Sequence, residues 1–292
     1  MTGRLQELLA AAPVVTDGAW GTQLQNRGLG LGASAEAWNL DRPAEVEAVA
    51  RAYVEAGSRV ILSNTFGANR IALERHGLAA RAAELARLGV RLSQQAATGR
   101  ALVFASLGPS TRLLMAGEVE EAALRDAFRE QAEALAEGGA DAIVVETMTD
   151  LEEARLAVAA AHETGLPVVG CMVFDSGPER TRTIMGTTPA QAAAALEEAG
   201  AEVIGANCGQ GIAGFVPVCE LLRAATTKPI WVKANAGLPE VVGGEIRYRT
   251  TPAEFAAYGP SLTAAGAAFV GGCCGTDPAF IRALAAAVAA SP

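Results

Sequence analysis

The chain has 292 residues, 51% hydrophobic and 19% charged, which supplies a sizeable core and departs from the composition of a disordered chain. A formal net charge of −9 without any concentrated basic run argues against a nucleic-acid partner, because phosphate backbones demand a basic face. The opening stretch MTGRLQELLAAAPVVTDG has neither the long apolar core nor the cleavage site of a signal peptide, and ELLAAAPVV is too short to cross a bilayer, so a cytoplasmic protein with no membrane partner is expected.

Eight short runs rich in Val and Ile follow one another: PVVTDG (13–18), RVILSN (59–64), LVFASLG (102–108), DAIVVET (141–147), PVVGCMV (167–173), EVIGAN (202–207), PIWVKAN (229–235) and AAFVGG (267–272). Their nearly continuous apolar character predicts parallel strands buried on both faces. Between them, AEVEAVARAYVEAG, EEAALRDAFREQAEALAEGG and TPAQAAAALEEAG repeat apolar residues at three- and four-residue steps and end in glycine, as helices do. Eight strand–helix alternations predict a single (β/α)8 barrel over residues 1–292, with a doubly wound open sheet as the structural alternative. The long first connection, 19–44, is expected to pack over the barrel mouth. GLGLGA at 28–33 follows no predicted strand and reads as loop rather than a nucleotide fingerprint.

Active sites of such barrels lie at the C-terminal strand ends. Those ends supply Asp17, Gly18 and Ala19 from the first strand, Asn64 from the second, Ser106 from the third, and Glu146 with Thr147 from the fourth. The sixth supplies Cys208, the seventh Asn235, and the eighth Cys273 and Cys274. Cys273 follows Cys208 by 65 positions (273 minus 208), about two barrel units, so the strands that carry them flank the seventh. Three thiolates converging this way form a tripod suited to a catalytic zinc with an open fourth position. Other readings of the GGCCG segment are a backbone phosphate cradle, as in an aldolase or isomerase, inert buried cysteines, or a strained vicinal disulfide. The two glycines are expected to free the backbone so that consecutive cysteines face one metal. Cys171 and Cys219, within a strand and a helix, read as small buried hydrophobes. His76 and His162 fall in helical or helix-ending segments away from the strand ends. A tri-thiolate zinc suits activation of a substrate thiol better than hydrolysis.

The segments TDGAWGTQLQ, SNTFGANR, VVETMTDLEEA, GANCG, NAGLP and GGCCGT together resemble the homocysteine S-methyltransferases, a family that includes betaine-dependent enzymes and the homocysteine-binding module of cobalamin-dependent methionine synthase. The resemblance runs along almost the whole chain. It implies a zinc-containing (β/α)8 barrel whose three ligands match Cys208, Cys273 and Cys274, with Asn235 at the fourth position until the substrate thiolate replaces it. It also implies that the first loop and Glu146 hold the amino acid end of homocysteine. In chemical terms, Asp17 and Glu146 are the acidic residues expected at the amino acid end of the substrate, Glu146 pairing with the ammonium and the amides of Gly18 to Gly21 receiving the carboxylate; the alternatives for Asp17 are that it fixes the loop or caps a helix. Glu146 is followed by Thr147 where the betaine-dependent branch has tyrosine, which points away from betaine and toward a methyl-corrinoid on a separate protein, S-methylmethionine or S-adenosylmethionine. A non-catalytic zinc-thiolate module that binds a thiol amino acid or a methyl-carrier partner is the rival reading.

Overall fold

A computed structural model describes residues 3–242 and 245–290. Ten strands occur among them: β1 Val14–Val15, β2 Val60–Ile61, β3 Leu102–Leu107, β4 Ala142–Met148, β5 Val168–Met172, β6 Val203–Cys208, β7 Ile230–Ala234, β8 Glu240–Val242, β9 Glu245–Arg247 and β10 Ala267–Gly272. Eight of them form one parallel sheet in the order β1-β10-β7-β6-β5-β4-β3-β2, and each coincides with one of the eight runs expected to be strands, β4 and β6 running one residue beyond theirs to Met148 and Cys208. The remaining pair, β8 and β9, is an antiparallel hairpin inserted after β7, where no strand was expected. A helix over Gly3–Ala10 also precedes the barrel and sends Leu5 and Leu8 into its interior core.

The sheet closes between β1 and β2 through few contacts. Arg59 N donates to the Val15 carbonyl (2.8 Å) and Leu62 N to Asp17 Oδ2 (2.7 Å), so a side-chain carboxylate takes the place of a strand carbonyl at the seam. Barrel closure rules out the open-sheet alternative.

Strand parity organises everything that follows, since alternate residues face opposite sides. In β4, Ala142 and Val144 join the interior core while Ile143 and Val145 pack against the helices. Phe104, Trp231 and Phe269 fill the middle of the barrel, with ring centroids 5.1 to 6.3 Å apart. Two positions further along each strand, the same inward parity reaches the mouth and changes from apolar to polar: Ser106 after Phe104, Glu146 after Val144, Lys233 after Trp231. The outer helices begin where their sequences predict; Thr188 and Gln191 make a reciprocal capping box, and Asp150 caps Leu151–His162 through the Glu152 and Glu153 amides. The first connection does pack over the mouth, bringing Ala35 and Glu36 to the cavity there. Among the described residues no helix is long and apolar enough to cross a membrane.

Candidate active site

The thiols of Cys208, Cys273 and Cys274 come together at the mouth, all within 4.8 Å of one another. β7 lies between the two strands that carry them and stitches both: Asn235 N donates to the Cys208 carbonyl (3.3 Å), Cys273 N to the Ala234 carbonyl (2.7 Å), and Ala236 N to the Cys274 carbonyl (2.9 Å). Cys208 has a left-handed backbone (φ 68°), which ends the extended strand at that residue.

Gly271 and Gly272 serve a different purpose from the one expected. Neither has a positive φ; a Cβ on Gly271 would lie 1.9 Å from Thr16 Oγ1, and one on Gly272 would lie 2.3 Å from Thr276 Oγ1. Close approach of neighbouring side chains, and not backbone freedom, excludes a side chain there. The left-handed glycine is Gly275 (φ 81°), where a Cβ would meet the Tyr248 ring at 2.3 Å. Three amides of this segment are also committed, Gly272 N to the Asp17 carbonyl (3.0 Å), Cys273 N to the Ala234 carbonyl and Gly275 N to Thr22 Oγ1 (3.3 Å), which counts against the phosphate-cradle reading.

The electrostatics of the three thiols are lopsided. Hydrogen bonds from Cys273 and Cys274 pull Cys208 down to about 3. The same contacts hold Cys273 well above the usual thiol range and push Cys274 up to about 12. Protein groups alone therefore stabilise one thiolate and not three. A soft divalent cation would supply the missing charge, and three sulfurs so close would suit zinc, whose Zn–S distances are about 2.3 Å. A second observation agrees: Asn235 Nδ2 touches Cys208 Sγ (3.5 Å) and the Gly209 carbonyl (2.6 Å), while its Oδ1 is buried with no hydrogen-bond partner. An orphaned buried oxygen beside a thiol cluster is what a fourth metal ligand leaves when only protein contacts are counted. The donor set therefore fits the metal.

A cavity of about 270 Å³ adjoins the thiols, lined among others by Gly18, Ala19, Asn64, Ser106, Glu146 and Thr147. Glu146 is buried on its floor; Ser106 Oγ donates to Oε1, and burial raises its carboxyl despite the opposing effects of Lys233 and Ser106. Asp17 is fully buried and absent from the lining. Its Oδ2 accepts from Trp20 Nε1 (2.7 Å) and Leu62 N, and its Oδ1 is paired with Lys233, so it fixes the loop and the barrel seam. Of the first-loop amides, that of Ala19 is taken by Thr276 Oγ1 (3.1 Å). Asn64 lines the cavity, but its Nδ2 is occupied by the Ala35 carbonyl and Asn39 Oδ1 (2.7 and 2.8 Å), so it anchors the long first connection. Cys171 and Cys219 are buried in apolar surroundings and burial raises both, Cys219 to about 12. Neither His76 nor His162 lines the cavity.

Two residues of this site escaped notice in the sequence. Lys233 is fully buried, lines the cavity and pairs with Asp17; burial works to lower its ammonium, but Asp17 and Glu146 outweigh it and keep it raised. A lysine inside the otherwise apolar run PIWVKAN was the available signal. Asn207 is fully buried at the inward-facing position before Cys208, and only parity could have pointed to it.

With this geometry in place, comparison with known proteins is informative. Residues 14–288 match the family model described as homocysteine S-methyltransferase. The chain is 35% identical to the methionine synthases of Mycobacterium tuberculosis and Mycobacterium leprae over 98% of its own length, and it spans 25% of theirs. Among solved structures, the metallated form of the homocysteine methyltransferase MmuM from Escherichia coli superimposes with a TM-score of 0.79 at 25% identity, covering 94% of this chain and 95% of that one.

Proposed function

The chain belongs to the homocysteine S-methyltransferase family, and from that premise we propose that it is a homocysteine-binding barrel which transfers a methyl group to the thiol of homocysteine, giving methionine. The observation that carries the reading is the tripod of Cys208, Cys273 and Cys274, with the orphaned Asn235 Oδ1 behind it, beside a cavity floored by Glu146. The three cysteines would hold zinc, and Asn235 Oδ1 would complete the set until substrate arrives. When bound, zinc supplies the Lewis acidity that keeps a thiol of free pKa about 8.5 deprotonated near neutral pH.

The chain's own groups do the rest. Glu146, oriented by Ser106, accepts the substrate ammonium, and that cation offsets the burial that otherwise disfavours its carboxylate. Gly18 and Gly21 line the same cavity, and their amides would suit the substrate carboxylate. The cavity, about 270 Å³, matches an amino acid and not a nucleotide, so the donor approaches from outside the mouth.

The donor is S-methylmethionine, S-adenosylmethionine or a methyl-corrinoid on a separate protein.

The test is a donor panel on zinc-loaded protein with homocysteine, read as methionine formed. Methionine from at least one donor, abolished in Cys208→Ala, is the expected result. Homocysteine binding with no methionine from any donor would establish the rival, non-catalytic thiol-binding module.

A further inference from the structure

Asn207 touches both halves of the site. Its Oδ1 accepts the Thr147 amide (2.7 Å); its Nδ2 donates to Thr147 Oγ1 (2.7 Å) and Glu146 Oε2 (3.3 Å) and lies 3.9 Å from Cys273 Sγ. It is fully buried and precedes Cys208 directly. One carboxamide thus joins the end of β4, where the ammonium would bind, to the thiol cluster, where the sulfur would bind.

The backbone gives an independent reason why such a clamp is needed. Thr147 has φ 63° and Cys208 φ 68°. Left-handed backbone is unfavourable for any side chain and most of all for a β-branched one, so surrounding contacts must hold it. Asn207 grips Thr147 at both its amide and its hydroxyl, and no other side chain does so among the described contacts.

We propose that Asn207 is a positioning residue: by holding Thr147 left-handed and Glu146 in place, it fixes the spacing between the ammonium site and the thiol cluster, and so selects an amino acid thiol of homocysteine's chain length. The proposal rests on the homocysteine reading above. It makes cysteine, one methylene shorter, the discriminated ligand.

The experiment is calorimetric titration of homocysteine and of cysteine into zinc-loaded full-length protein, with zinc stoichiometry and the thermal midpoint measured alongside. Asn207→Ala should weaken homocysteine binding about ten- to a hundredfold, the scale of one hydrogen bond to a charged group. Zinc stoichiometry should hold, and the preference for homocysteine over cysteine should narrow. Adding Thr147→Gly to Asn207→Ala should recover part of the affinity, because glycine adopts the left-handed backbone without help; a residue that merely fills space would not be rescued this way. Asn207→Asp, nearly isosteric, is the second variant if the alanine protein does not fold, and should also lose affinity through the lost donors and the new charge beside Glu146. Wild-type affinity in both variants, a loss that merely tracks lost zinc, or no recovery with Thr147→Gly would each overturn the positioning role. Failure of the wild-type protein to bind homocysteine would instead overturn the functional reading beneath it.

Discussion

Glu146 is ionisable, buried and aimed at a cavity, and such a group is held for function at a cost to the fold. Because burial raises its carboxyl above the ordinary value, the unfolded chain gives up this proton first as pH rises. The group's contribution to stability is therefore most favourable below the ordinary glutamate range and falls as pH climbs through the raised value. Glu146→Gln should flatten that slope and make the ligand-free protein more resistant to urea near neutral pH, which a set of denaturation curves at several pH values would check. The same variant should bind homocysteine about ten- to a hundredfold more weakly, since the ammonium loses a charged partner. Greater urea resistance together with weaker binding is the signature expected; equal stability of the two proteins at all pH values would remove the argument. Asn235→Ala addresses the orphaned oxygen. Three thiols should still take up one zinc, and a chelator should strip it about ten- to a hundredfold faster, the scale typical of a lost supporting ligand.

At the scale of the element, the end of β10 is built by exclusion. Gly271 and Gly272 let Thr16 and Thr276 lie against the strand, and Thr276 in turn bridges the Ala19 amide and the Cys273 carbonyl (3.1 and 2.8 Å). Gly271→Ala should cost about 1–3 kcal/mol through overpacking, read from the denaturant midpoint. Thr16→Ala in the same chain should recover part of it, since the atom a Cβ would strike is Thr16 Oγ1, which is buried without a partner. A single substitution that left the midpoint unchanged would mean the strand can shift. The paired glycines were visible in the sequence; the reason for them was not, because Thr16 lies on a distant strand and Thr276 meets Gly272 only through the fold of the GGCCGT turn.

At the scale of the whole molecule, the buried pair of Lys233 and Asp17 ties β7 to β1, and the other oxygen of Asp17 holds Leu62 across the seam where the sheet closes. Lys233→Met should cost about 3–5 kcal/mol, because it strands the Asp17 carboxylate without its cation. Adding Asp17→Asn should restore part of the loss, and denaturant midpoints of the two proteins would decide. No recovery would mean the lysine acts through packing alone. Strand–helix alternation and continuous apolar runs identified the barrel, since periodicity and burial on both faces are local properties of sequence. The three cysteines at strand ends were legible for the same reason: barrel topology maps a strand end in sequence onto one mouth in space. Assignments at Asp17, Asn64, Asn207 and Lys233 depended on which polar group meets which across the interior, and partners separated by as many as 216 positions leave no periodic trace. The hairpin Glu240–Val242 and Glu245–Arg247 likewise lay where no strand was expected. Sequence thus determined the fold and the convergence of three thiols, while tertiary structure alone decided whether each acid, amide and amine faces the cavity or is consumed in holding the barrel shut, because that choice is made by hydrogen-bond pairing between distant strands.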